Sequence, residues 1–261
     1  MTARLTANRI WQLAYGLSER DLAVAASLAK LRVASVRQLQ RLHYPTQARS
    51  ARRALKQLAE RRIIARLHRS VGGARAGSAG WIYALDIVGQ SLVGNGGPAG
   101  GVRLRRPWTP GVRFLDHALA VSEVYAGLVE LSRAGRFELA AFEAEPECWR
   151  SYEPIGGPAV LKPDAYARLG FAGYEDSYFI EVDRGTESPR TLELKAEAYL
   201  AYYNSGEEQH QRGVFPRVLW LVPDQPRAQV VRDAVSGNQQ GANLHLVATM
   251  EQLDASLTAA P

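Results

Sequence analysis

Three acids and a lysine stand in the C-terminal half at spacings that could do phosphodiester chemistry: Asp164, Glu181, Asp183 and Lys195. Asp164 follows Lys162-Pro163 and opens the strand-like run Asp164–Leu169. Glu181 and Asp183 close the next run, Ser177-Tyr178-Phe179-Ile180-Glu181-Val182-Asp183. Its two-residue period places Tyr178, Ile180 and Val182 on one face and Phe179, Glu181 and Asp183 on the other. Carboxylates beside an apolar core are costly unless something neutralises them. A magnesium or manganese ion would do so, because both prefer oxygen ligands. Asp164, Glu181 and Asp183 would then be the metal ligands, and Lys195 would stand beside the scissile phosphate. An internal salt-bridge cluster, with Arg168 or Arg184 between the carboxylates, would neutralise them as well. The sequence leaves both open.

The elements that must position these groups are legible around them. Arg184-Gly185-Thr186 ends the Glu181 strand. Ser188 and Pro189 read as the cap and first residue of a helix. That helix carries Leu192, Ala196, Tyr199 and Tyr203 at helical spacing, with Lys195 on the shoulder of the stripe. Upstream lie a long helix, Val112–Arg133, with His117 beside its stripe, and a strand, Phe137–Phe142. An irregular acidic stretch follows, with Glu143, Glu145 and Glu147. Gly170–Gly173 reads as the turn between the Asp164 and Glu181 strands. Val218–Val222, apolar on both faces, reads as a central strand. A helix over Gln225–Val235, a strand over Leu244–Val247 and a terminal helix over Glu251–Leu257 complete the order, which is that of an α/β domain with one mixed sheet.

The N-terminal half offers different chemistry. Ser18 with Asp21 marks a helix start, Ser35 caps a short second helix, and a third runs from about Gln47 to Arg62. On that third helix Ala51, Leu55 and Leu58 share one face. Arg49, Arg52, Arg53 and Lys56 share the opposite face at i, i+3, i+4 and i+7. Like charges so placed repel one another, so the arrangement gains nothing without an anionic partner. A strand over Ile63–Arg69, a glycine-rich tip over Gly72–Gly80 that holds Arg75, and a returning strand over Trp81–Leu85 follow. Three helices and a hairpin resemble a winged helix-turn-helix domain. That resemblance implies that the third helix enters the major groove and that Arg75 reaches backbone or minor groove.

Charge separates the halves. The 261 residues carry a net +6, but residues 1–110 hold 19 Lys+Arg against 4 Asp+Glu, and residues 111–261 hold 13 against 22. Only the first half suits a polyanion. Between them, Gly94-Asn95-Gly96-Gly97-Pro98-Ala99-Gly100-Gly101 reads as a linker, followed by Arg103, Arg105, Arg106, Pro107 and Pro110. The expected domains are therefore residues 1–93, a linker over 94–110, and residues 111–261. The single cysteine, Cys148, excludes an intramolecular disulfide framework and a cysteine-based zinc cluster. No apolar run reaches the length of a membrane span and no signal-peptide pattern opens the chain, so a cytoplasmic protein is expected. Walker-type glycine loops, nucleophile elbows and HExxH are missing, so no nucleotide or organic cofactor is expected.

The second-half order resembles the PD-(D/E)XK nuclease fold. Pro163-Asp164 matches the first element and Glu181 the second. The position expected to hold lysine is Asp183, and Lys195 on the next helix is placed to substitute. The chain as a whole resembles the replication-relaxation family of bacterial plasmids and integrative elements. The resemblance rests on the Ala48–Arg62 helix, on Gly80-Trp81-Ile82-Tyr83-Ala84-Leu85, and on Phe114-Leu115-Asp116-His117-Ala118-Leu119. Lys162-Pro163-Asp164 and Glu181-Val182-Asp183-Arg184-Gly185-Thr186-Glu187 complete it. It implies DNA handling in replication or conjugative mobilisation, with double-stranded DNA as partner and with other replication or mobilisation proteins, or a second copy of the chain, as further candidates. Three functions fit: a DNA-binding accessory protein whose nuclease-like domain is inactive, a magnesium- or manganese-dependent endonuclease, and a transcriptional repressor of mobile-element genes.

Overall fold

The structure is a computed structural model that describes residues 6–67, 80–94, 111–154, 157–237 and 241–258. It divides into two compact units, Met1–Ala126 and Gly127–Pro261.

In the first unit, α1 (Ala7–Ala14) precedes α2 (Glu19–Leu31), β1 (Val33–Ser35), α3 (Val36–His43) and α4 (Ala48–Glu60). Local chemistry sets the starts of α2 and α3. Ser18 accepts from the Asp21 amide while Asp21 reaches back to the cap, and Ser35 and Gln38 repeat the arrangement. Next come β2 (Ile64–Leu67), β3 (Ile82–Leu85) and α5 (Ile87–Val93). The three strands form an antiparallel sheet of order β1-β3-β2. One apolar cluster gathers Val24 and Leu28 of α2, Leu39 of α3, Leu55 and Leu58 of α4, and Tyr83 of β3. The expected hairpin tip over residues 72–79, with Arg75, lies outside the described residues, as does His68.

The long helix α6 (Val112–Arg133) belongs to both units, so the contact division falls inside it at Ala126. Its first half packs with the N-terminal elements. Leu115 and Ala118 join Val33, Leu67, Ile82 and Ala84 in a second apolar cluster. The Ser122 hydroxyl donates to the Val33 carbonyl at 2.6 Å, and the Gln38 side chain donates to the Leu119 carbonyl at 2.9 Å. Residues 95–110 of the expected linker lie outside the described residues, and the start of α6 packs with the unit before it.

The second unit contains β4 (Glu138–Ala144), β5 (Arg150–Tyr152), β6 (Ala159–Leu161), β7 (Ala165–Phe171) and β8 (Tyr174–Val182). Helices α7 (Pro189–Ser205) and α8 (Glu207–Arg212), strand β9 (Arg217–Val222), α9 (Gln225–Val235), β10 (His245–Thr249) and α10 (Leu253–Thr258) follow. Five strands make one mixed sheet of order β10-β9-β8-β7-β4, parallel from β10 to β8 and antiparallel from β8 to β4. The expected mixed-sheet α/β arrangement is therefore present. The stretch read as irregular holds β5 and β6, which pair as a separate two-stranded sheet. Strand β9 lies between two neighbours, which is why its residues Val218–Val222 are all buried. On one sheet face Tyr166, Phe179, Val218 and Trp220 pack with Leu192, Tyr199 and Tyr202 of α7 and with Ala228 and Val231 of α9. No helix among the described residues is long and apolar enough to cross a membrane.

Candidate functional site

Strands β7 and β8 bring Asp164 and Glu181 together. The Asp164 amide donates to the Ile180 carbonyl at 3.1 Å, and its Oδ2 accepts from the Val182 amide at 2.7 Å, so Asp164 is bonded on both sides of Glu181. Glu181 itself is on the strand face that points at α7. Ser188 caps that helix and Pro189 begins it, as the sequence requires. Lys195, in its second turn, donates to Glu181 Oε2 at 2.8 Å. One turn on, the Tyr199 hydroxyl donates to Glu181 Oε1 at 2.6 Å. Lys195 also reaches Glu187 Oε1 at 2.8 Å, so its ammonium joins two carboxylates.

Electrostatics follow from burial. Glu181 is 2% exposed. Burial, then the charge of Asp164, raises its carboxyl to about 7 against the opposing pull of Lys195. Burial alone would push the Lys195 ammonium down; the charges of Glu181 and Asp164 and the two hydrogen bonds outweigh it and raise its pKa. Burial and the neighbouring Glu181 raise the Tyr199 phenol well above its ordinary value, which keeps it a donor.

Asp183 does not join this pair. Strand β8 ends at Val182, and Asp183 stands one residue beyond it. The Asp183 amide instead donates to the Leu221 carbonyl at 2.9 Å, while its carboxylate accepts from the Gly185 amide at 2.9 Å and pairs with Arg227 of α9. The cation at this position is therefore Arg227, which also donates to the Glu187 carbonyl at 2.7 Å. Arg168 pairs with Glu175 on the sheet. Among the described residues no group of three or more His, Cys, Asp or Glu side chains is placed to hold a metal ion. The expected three-carboxylate ligand set for magnesium or manganese is thus not assembled. What remains is Asp164 and Glu181 with Lys195, and a cation taking Glu181 Oε2 would displace the lysine.

Three partners of these groups were not in the expected site. Tyr199 carried a readable signal, since it stands four residues after Lys195 on one helix face. Glu187 and Arg227 had none, because their roles depend on the path of the loop after β8. Elsewhere in this unit Arg150 pairs with Glu143 at 3.1 Å, lies 3.6 Å from the fully buried Glu208, and lies over the Tyr166 ring at 5.1 Å.

In the first unit, α4 buries Ala51, Leu55 and Leu58 and exposes Arg49, Arg52, Arg53 and Lys56. Among the described residues no carboxylate pairs with Arg49, Arg52 or Arg53, and Lys56 lies 3.8 Å from Glu60.

The profile of the replication-relaxation family matches residues 26–218. The chain belongs to the replication-relaxation family. The matched span includes α4, Asp164, Glu181, Asp183 and Lys195 of this family member, and it stops short of Arg227. No curated protein sequence matches. Among solved structures, the restriction endonuclease FokI bound to DNA is similar over 93% of this chain and 45% of that chain, with 10% identity and a TM-score of 0.28. The family member thus spans less than half of that protein's length, and so weak a likeness decides nothing about its fold.

Proposed function

We propose that this replication-relaxation protein binds double-stranded DNA through α4 and serves a plasmid or integrative element in replication or conjugative mobilisation. The exposed row Arg49, Arg52, Arg53 and Lys56 carries this reading. Four cations on one face of a helix whose opposite face is fixed in an apolar core present a rigid surface to phosphates. Three helices and a β-hairpin support a winged helix-turn-helix reading of the same unit, with α4 as the recognition helix and Arg75 as a wing contact. The test is duplex binding across a series of salt concentrations. Arg52→Ala combined with Arg53→Ala should weaken binding and flatten the slope of log affinity against log salt by about 1.8, at about 0.9 for each phosphate contact. Undiminished binding by this variant sinks the assignment.

A second reading, metal-dependent DNA cleavage, is favoured by one observation. Lys195 stands 2.8 Å from Glu181 Oε2, with Asp164 bonded on either side of that glutamate. Magnesium is commonly held by one or two carboxylates together with substrate phosphates, so Asp164 and Glu181 could suffice. Such an ion would supply charge stabilisation at the phosphoryl oxygens. Lys195 would stay charged beside it, retained by Glu187, while Asp183 and Arg227 hold the loop that carries Glu187. Melting with and without manganese, together with nicking of supercoiled plasmid, tests this. A manganese-dependent rise in Tm and nicking, both lost in Asp164→Ala, support it; neither signal in the parent protein leaves an ion-paired core without catalysis.

A further inference from the structure

Beyond α4, the first unit has a groove of about 550 Å3 between the end of that helix and β2, lined by Lys56, Glu60, Arg62, Arg66 and Asp86 among others. Its two acids are occupied. Glu60 lies 3.8 Å from Lys56. Asp86 accepts from Arg62 Nε at 3.1 Å and from the Ile87 amide at 2.7 Å, which fixes it as the cap of α5. Arg66 is different. It is exposed, and among the described residues no carboxylate pairs with it. Its guanidinium lies over the Trp81 ring, 4.1 Å from the centroid, and Trp81 is 43% exposed.

Arg66 is carried on β2, and Trp81 stands one residue before β3. Arg66 pairs with Tyr83 in the β2–β3 register, and the Trp81 carbonyl accepts from the Val36 amide at 2.9 Å at the start of α3. A guanidinium whose face rests on an indole keeps its N–H edge available, and that edge matches a phosphate. Lys56 belongs both to the groove and to the cationic row of α4, so the groove adjoins that row.

We infer that Arg66, held on Trp81, is a second DNA contact that takes a backbone phosphate flanking the one engaged by α4. The inference rests on the reading of α4 as the DNA-binding helix and adds a residue pair outside it. Trp81 contributes no charge; it holds the arginine, whose freedom would otherwise have to be lost on binding.

The two roles give different signatures in duplex titrations of the full chain across a salt series. Arg66→Ala should flatten the slope of log affinity against log salt by about 0.9, for one phosphate. Trp81→Ala should weaken affinity several-fold with the slope unchanged, because the charge remains. Arg66→Lys should keep the slope and lose affinity. Melting temperatures of the variants establish that each is folded. If Arg66→Ala keeps the parent slope while the Arg52 and Arg53 double variant flattens it, the Arg66 contact is wrong and the α4 reading stands. Absence of duplex binding by the parent overturns both. An effect of Trp81→Ala confined to single-stranded DNA, with no slope change for Arg66→Ala on duplex, assigns the ring to an unpaired base and also overturns the phosphate contact.

Discussion

At Glu181, an ammonium meets one carboxylate oxygen and a phenol the other, 2.8 and 2.6 Å away. Removing one member of such a buried pair costs far more than the pair itself contributes, because the remaining charge is left without compensation. The effect has a pH signature. The Glu181 carboxyl is raised to about 7 in the fold, against about 4.3 for a free glutamate. The native state therefore binds more protons than the unfolded state across that window, and the stability drawn from this group is lost as pH rises through it. Lys195→Met should push the folded carboxyl higher still, since the cation that opposes burial and Asp164 is gone. The variant should lose about 3 kcal/mol at pH 8, where Glu181 must either stay charged or bind a proton at a cost, and much less near pH 5. Urea unfolding at the two pH values measures the difference. Equal losses at both would mean that Lys195 acts there through packing alone.

Elements with their own local signals were legible before any fold was known. Ser18 with Asp21, and Ser35 and Ser188 as caps, accept from early amides of α2, α3 and α7 within a few residues, so these starts follow from local sequence. The expected long helix over 112–133 and the helix over 225–235 match α6 and α9 at both ends. Short elements held by distant partners were not legible. Helix α5 crosses β2 so closely that a Cβ on Gly89 would stand 2.1 Å from the Ile63 carbonyl. That contact links residues 26 positions apart and leaves no periodic trace. Helix α8 holds the buried Glu208, which accepts from the Tyr202 hydroxyl at 2.5 Å and lies 3.6 Å from Arg150, 58 positions earlier. The same reason accounts for the site. Glu181 and Lys195 lie on regular elements, whose periods place them, and Asp164 directly precedes β7. Asp183 stands one residue past the end of β8, and the cation it pairs with, Arg227, lies 44 positions away.

At the scale of the whole chain, the run of glycines at 94–101 reads as a boundary from composition, while packing divides the chain at Ala126, inside α6. An amphipathic helix announces that it has an apolar face but not which core that face will enter. Here Leu115 and Ala118 cover Val33, Leu67, Ile82 and Ala84, and Gln38, 5% exposed, finds its acceptor in the Leu119 carbonyl. A fragment of residues 1–94 loses all of these, and Leu115 alone accounts for about 2 kcal/mol of burial. A fragment of residues 1–126 keeps them. For units of this size, 1 kcal/mol shifts Tm by roughly 4–8 °C, so the longer fragment should melt at least about 8 °C above the shorter. It should also retain duplex binding, since residues 1–110 carry 19 Lys+Arg against 4 Asp+Glu and include α4 and Arg66. A fragment of residues 127–261 should not bind duplex at the same salt. Equal melting of the two N-terminal fragments would show that α6 covers nothing the first unit needs, and would return the boundary to the glycine run.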